Sequence, residues 1–266
     1  MSLMSEPELT QQEINEAARR HTQTGSRRVA MVAFARGETA ADVDNNGTAS
    51  FVSLPSGKFV VTNHHVYDHF RQQRSNDPNY RMALTGTGFC RPYDISDAEL
   101  VSENQHLDLC VLRVDEREIE AMGKQFVELE DLSAQSAGDG DEIIIIGFPG
   151  MRRTVESVEN PDDGNNFEVL RHEAIMLCPT VEGISNDGIR MLFTNPPPTI
   201  TFFTDRPIDE FRWGGMSGSL VYRVDRDSNR FVPCAILREA GETFQATFYA
   251  TNINVITRDG SILEPE

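Results

Sequence analysis

A serine set among glycines, Trp213-Gly214-Gly215-Met216-Ser217-Gly218, is the segment best suited to covalent chemistry. Glycine admits tight backbone turns, so a hydroxyl can stand clear while neighbouring N–H groups face the space in front of it. A serine hydroxyl is a weak nucleophile at neutral pH and needs an imidazole to take its proton as it attacks a carbonyl. Thr62-Asn63-His64-His65-Val66 closes an apolar run and offers two imidazoles. His106-Leu107-Asp108-Leu109-Cys110-Val111-Leu112 offers a carboxylate at the mouth of another, and Asp115 at the far end of that run is the alternative acid. A buried carboxylate would hold the imidazole in one tautomer and stabilise the imidazolium that forms. Taken singly, a GxSG turn, a histidine beside a strand and an aspartate before one are common packing or capping features. Their weight lies in the combination, in the order His, Asp, Ser.

Two acidic segments suggest different chemistry and are set aside. Asp42-Val43-Asp44-Asn45-Asn46-Gly47 copies the first half of a calcium loop, and Asp225-Arg226-Asp227-Ser228-Asn229 echoes it. The twelfth position of the first is Ser53, where a calcium loop needs a bidentate Glu. Both lie between expected strands and are read as acidic hairpin turns. No metal and no cofactor is expected.

The elements that must position these residues are mostly strands. Residues 6–20 carry Leu9, Ile14 and Ala17 among good helix formers and predict an amphipathic helix packed on the surface of the strand-rich body. Short apolar runs separated by turn chemistry then begin: 29–35, 48–54, 59–63, 81–84, 100–102 and 109–114, with Pro55-Ser56-Gly57-Lys58 as a hairpin turn. The polar segment 130–139 marks a connection, after which strands are expected over 142–146, 168–178, 190–193, 199–203, 219–224, 231–237 and 244–256. Segments 151–166 and 195–198 read as long surface loops. This texture is that of an all-β barrel protein.

Composition narrows the setting. Forty-two acidic against twenty-four basic residues in a chain of 266 give a formal charge of −18, which would repel nucleic acid and anionic membrane, so neither is expected as a partner. The longest apolar run, around Ile143 to Ile146, is stopped by Gly147 and Pro149, far short of a bilayer span. The first residues lack the basic segment and apolar core of a secretory signal, and Met4 suggests an appended leader before the native start. The cysteines at 90, 110, 178 and 234 form no CxxC pair, and Cys110 and Cys234 lie in apolar runs. Free thiols and a reducing cytoplasm are expected.

Together these segments resemble the chymotrypsin/trypsin-like serine peptidases, and among them the bacterial, disulfide-free branch typified by Deg-type (high-temperature-requirement) proteases. The similar stretches are Thr62 to Val66, Asp108 to Leu112, Gly140 to Gly150, Thr204-Asp205 and the serine turn, and the likeness spans roughly residues 28–257. It implies an all-β fold of two six-stranded antiparallel β-barrels with an N-terminal helical extension. Residues 1–26 would form the extension, 27–129 the first barrel, and 130–266 the linker, second barrel and a short tail. No further peptide-binding module is expected after the last strand.

The resemblance also assigns roles. The family histidine stands third after the Thr, which selects His65 as base, with His64 flanking it and His69 expected at the surface. Asp108 would be the acid and Ser217 the nucleophile, with oxyanion donors on the backbone N–H groups of Ser217 and Gly215. The base of the primary specificity pocket, six residues before the serine, falls on Phe211, and Arg238 would add a positive rim. A small or apolar residue before the cut is then expected; one residue of slip would put Glu210 there instead and favour Lys or Arg. Met216 occupies the position where proteolytically activated members carry an acid, so activation by a new N-terminus is not expected. The implied activity is that of a trypsin-like serine endopeptidase acting on polypeptides through an acyl-enzyme. Its rivals are a catalytically silent binding module of the same fold and a hydrolase of non-peptide esters.

Overall fold

The computed structural model describes residues 11–37, 39, 42–85, 92–129, 136–150, 153–159, 166–186, 188–192, 200–201, 213–226, 228, 230–240 and 247–264. Helix α1 (Gln11–Ser26) leads into β1 (Val29–Ala35), β2 (Val43–Leu54), β3 (Gly57–Thr62), helix α2 (His64–Asn76), β4 (Arg81–Thr85), β5 (Tyr93–Asp94), β6 (Glu99–Asn104) and β7 (Leu109–Arg113). Helix α3 (Glu116–Ala121) and β8 (Val127–Glu128) come next. These strands form one curled antiparallel sheet in the order β5-β4-β1-β2-β3-β7-β6, with β8 alongside β2 in parallel.

The second sheet comes from later in the chain. Its strands are β9 (Ile143–Gly147), β12 (Ile175–Leu177), β13 (Thr180–Ile184), β14 (Gly188–Leu192), β15 (Ile200–Thr201), β16 (Leu220–Asp225), β17 (Arg230–Ala240) and β18 (Thr247–Asn252), in the order β13-β14-β18-β17-β16-β9-β12-β15. Between β9 and β12 the chain makes a separate ribbon, β10 (Arg153–Glu159) paired with β11 (Asn166–His172). Each sheet has eight strands rather than the expected six: the two-residue pieces β5 and β8 join the first ladder, and β15 and the three-residue β12 join the second.

Several strands are apolar at every position because both of their faces are covered. In β1, Ala30, Val32 and Phe34 point into the core of the first sheet, while Val29, Met31 and Ala33 join a second cluster shared with the other sheet. β7 divides likewise, with Cys110 and Leu112 inside and Leu109 and Val111 in the shared cluster. From the opposite side β9 sends Ile143 and Ile145 into its own core and Ile144 and Ile146 into the shared one. Side chains alternate along a strand, so a continuous apolar run requires two dry faces. Each aliphatic side chain so buried stabilises by about 1.5–3 kcal/mol. The seam between the sheets is therefore a core in its own right, while the serine turn sends Trp213 and Met216 into the core of the second sheet.

Four expectations are corrected. The first helix, described from Gln11, runs on to Ser26 rather than ending near residue 20, with Thr22 buried and His21 edge-on to Phe231 of β17 at 4.7 Å. The calcium-like segment is not a hairpin turn: from Val43 onward it opens β2, because Asn45 and Asn46 pair with Phe34 and Ala33 of β1. Much of the stretch expected as a loop over 151–166 belongs to the β10–β11 ribbon, whose exposed faces leave no apolar run to mark it. Finally, helix α2, held by Val66 and Phe70 one turn apart, carries His69 inward from its expected surface position. His69 of that helix is half-buried, not superficial, with its Nε2 3.2 Å from Tyr80 Oη and its ring against Phe34.

Other expectations hold. Asp225 starts the β16–β17 turn and accepts the Ser228 hydroxyl at 2.8 Å. Cys110, Cys178 and Cys234 are free, the first and last buried, while Cys90 lies outside the described residues. Among the described residues no helix is long and apolar enough to cross a membrane.

Candidate active site

The imidazole and the carboxylate meet at the junction of β3, α2 and β7. His65 is the second residue of α2, and its ring is 55% exposed while the Asp108 carboxylate is 16% exposed. Asp108 Oδ2 lies 2.8 Å from His65 Nδ1, and Asp108 Oδ1 accepts the His65 backbone N–H at 2.9 Å. The first N–H groups of a helix have no partner within it, and the preceding Asn63 makes no side-chain cap here. Asp108 caps α2 from a distance instead, with the favourable end of the helix dipole behind its charge. Asn63 reciprocates by donating from Nδ2 to the Asp108 carbonyl at 2.8 Å.

This grip sets the histidine's chemistry. A carboxylate has no proton to give, so Nδ1 carries the hydrogen and Nε2 is left with the basic lone pair. Asp108 holds its place with φ +52, the only positive φ among the described non-glycine residues. That conformation costs an ordinary residue about 1–2 kcal/mol and is tolerated best by Asn and Asp. His64 turns the other way, its Nε2 3.5 Å from Glu103 Oε2. Asp115 instead caps α3, accepting the Arg117 N–H at 2.8 Å.

The serine sits at the corner of two overlapping turns. Met216 N–H donates to Trp213 O at 3.1 Å and Ser219 N–H to Met216 O at 3.0 Å, which puts Gly215 and Gly218 at the third position of each. Their φ values of +95 and +94 are those a type II turn demands there. Ser217 is the second residue of the latter turn and is partly exposed, between the buried Met216 and Gly218. Among the described residues nothing accepts from the N–H groups of Gly215 or Ser217, and no hydrogen bond joins Ser217 Oγ to His65.

The turn is nevertheless seated against β2, the neighbour of the strand β3 that leads to the histidine. A Cβ on Gly218 would stand 2.0 Å from Thr48 O and 2.9 Å from Thr62 Oγ1, so no side chain fits. Thr48 N–H donates to Ser217 O at 2.9 Å, Thr48 Oγ1 to Gly215 O at 2.7 Å and Ser50 Oγ to Gly218 O at 2.7 Å. Thr48, Ser50 and Asn63 were not singled out from sequence. Each is a polar residue beside an apolar run, a common pattern that says nothing of a role, and each is buried in the fold.

Of the substrate-contact candidates, Phe211 lies outside the described residues. Arg238 is the extra residue of a bulge between Leu237 and Glu239, and its Nη2 donates to His106 O at 2.9 Å. It thus reaches the loop that bears Asp108. Thr251 Oγ1 bolts the same loop from β18, donating to Leu107 O at 2.7 Å. Arg238 also lines a surface cavity of about 410 Å³ with Ile184, Arg190 and Tyr249. Burial pushes the Cys110 thiol well above its ordinary range and that of Cys234 up to about 12, so neither rivals the serine as a nucleophile.

The two curled antiparallel sheets match the chymotrypsin-like fold, and the His–Asp pair lies on the first and the glycine-set serine turn on the second. No protein-family model and no curated protein matches the sequence. Among solved structures the chain is similar to Deg5, at 14% identity over 95% of each chain with a TM-score of 0.49. It is also similar to AL20, a thermostable serine protease from an extremophilic microorganism, at 10% identity over 87% of this chain and 92% of that one, TM-score 0.45. A third is the serine protease domain of the Sesbania mosaic virus polyprotein, at 13% identity over 85% and 89%, TM-score 0.43. Likeness at such identities concerns the fold, and the chemistry has to come from the residues themselves.

Proposed function

We propose that the protein is a serine endopeptidase in which Ser217 is the nucleophile, His65 the general base and Asp108 the residue that orients the base. The observation that carries this reading is the double grip of Asp108 on His65, one oxygen on the backbone N–H and one on Nδ1, which leaves Nε2 as the free base. In this mechanism Ser217 Oγ attacks the scissile carbonyl while His65 Nε2 takes its proton. The oxyanion is received by the N–H groups of Gly215 and Ser217, each worth about 3 kcal/mol to the transition state. His65 then protonates the leaving amine, and water repeats the sequence on the acyl-enzyme. The substrate is a polypeptide and no cofactor takes part; by the family resemblance Phe211 would be the residue at the pocket base and Arg238 that at its rim, which favours a small or apolar residue before the cut.

A second reading, the catalytically silent binding module, is favoured by one observation: Ser217 Oγ and His65 are not hydrogen-bonded. Such bonds are often long before substrate arrives and tighten in the complex. A fluorophosphonate probe separates the two readings. Covalent labelling of Ser217 is expected in the wild type and not in Ser217→Ala or His65→Ala, with peptide fragments identifying the labelled residue. Folded wild-type protein that stays unlabelled under prolonged exposure would leave the binding module as the better description.

A further inference from the structure

The peptide groups that carry the two unclaimed N–H donors have carbonyls that are firmly held. Gly214 O accepts the Gly150 N–H at 2.7 Å, and Met216 O accepts both Ser219 N–H at 3.0 Å and Ser219 Oγ at 2.6 Å. In a trans peptide the N–H points opposite to the C=O. These contacts therefore aim the Gly215 N–H away from Gly150 and the Ser217 N–H away from Ser219. The Gly214–Gly215 peptide has glycine on both sides, so rotation about it meets little steric resistance. Its orientation is decided by its partners.

Those partners converge on one hydroxyl of the first sheet. Gly150 follows Phe148, whose N–H donates to Thr48 Oγ1 at 3.1 Å and whose carbonyl accepts from Asn46 Nδ2 at 3.1 Å. Thr48 Oγ1 must accept from Phe148, so its single proton goes to Gly215 O at 2.7 Å. One side chain thus ties the loop that holds Gly214 O to the carbonyl of the next peptide. The fit is close as well: a Cβ on Gly215 would lie 2.4 Å from Asn46 Nδ2 and 2.8 Å from both Gly150 N and Phe148 O.

We infer that Thr48 is a positioning residue that keeps the Gly214–Gly215 peptide in its donor orientation, so that β2 of the first sheet sets the oxyanion donor on the second. The inference rests on the reading of Gly215 as an oxyanion donor. It assigns the first sheet a task beyond supplying base and acid, because a shift of β2 would reach the serine turn through Thr48.

The test compares Thr48→Val, which keeps shape and loses both hydrogen bonds, with Thr48→Ser, which keeps the hydroxyl. Thr48→Val is expected to lower kcat about 100-fold with KM nearly unchanged, since misplacing one group by about 1 Å costs that much. Its crystal structure is expected to show Gly214 O turned off Gly150 N. Thr48→Ser is expected to stay within about threefold of wild type and keep the peptide in place. Should Thr48→Val fail to fold, Thr48→Ala, which sets no methyl against the Gly215 carbonyl, carries the same expectations. An unmoved peptide, or a wild-type kcat in the Val or Ala variant, overturns the inference. A hydrolytically silent wild type whose Thr48→Val structure shows the turned peptide removes the peptidase reading while the positioning role stands.

Discussion

Ser217→Ala and His65→Ala are each expected to lower kcat by about 10⁶-fold, and Asp108→Asn by about 10⁴-fold, with the fold intact in all three. The double variant Ser217→Ala/His65→Ala should be no worse than either single one, because nucleophile and base act as one unit and the remainder comes from binding and oxyanion contacts. Asn is the right substitution at 108. The φ of +52 is one that Asn accepts nearly as well as Asp, whereas Ala would add backbone strain and blur the result. An amide cannot take up the charge of an imidazolium, and through its NH₂ it can hold Nδ1 in the wrong tautomer. His64→Ala is the control, expected within a few-fold of wild type because His64 faces Glu103. Steady-state hydrolysis of a peptide library, with circular dichroism to verify folding, decides the matter. If His64→Ala abolished turnover while His65→Ala retained it, the base would have been assigned to the wrong histidine.

The two-sheet architecture is legible in the sequence because its main strands lie under two cores at once. Runs such as Val29 to Ala35 and Ile143 to Ile146 have no polar face, and only packing on both sides accounts for that. Elements with one thin apolar edge leave less trace. Helix α2 buries only Val66 and Phe70 among many polar residues, and the start of β2 is polar because pairing with β1, not burial, makes it a strand. His69 is drawn inward by Tyr80, which itself donates to Asp44 at 2.8 Å, a contact between segments that no local pattern links. In the candidate site, residue type and order offer His64 or His65, Asp108 or Asp115, and Ser217, and the family resemblance is what selects His65. Thr48, Asn46 and Asn63 escape such a reading, since their meaning depends on carbonyls and N–H groups that come from 45 to 167 residues away.

Lowering the pH from 7 to 5 is expected to cost the wild type about 2 kcal/mol of stability that a His172→Gln variant does not lose. His172 ends β11 with Nε2 3.0 Å from Thr85 Oγ1 and its ring 5.1 Å from that of Phe148. Burial, reinforced by the Lys124 ammonium and only partly opposed by the Leu170 backbone, pushes its pKa down to about 4 from the usual 6.5. Lys124 is itself buried, with Nζ donating to Ser26 O at 2.9 Å and 5.5 Å from the Phe148 ring. The unfolded chain takes up this proton near pH 6.5 and the folded one only near pH 4, so stability falls as pH drops through that window. Above pH 6.5 both states hold a neutral imidazole and the contribution is flat; below pH 4 both are protonated and the loss stops growing. Carboxylates titrate alike in the two proteins, so the difference between their profiles isolates His172. Urea unfolding at pH 7, 6 and 5 measures it, and parallel profiles across that range would mean that the imidazole titrates as freely in the fold as in the unfolded chain. The position matters for the site as well. Phe148, which His172 packs against, is the residue whose N–H and carbonyl are held by Thr48 and Asn46, so a proton taken up here loads the segment that anchors the serine turn.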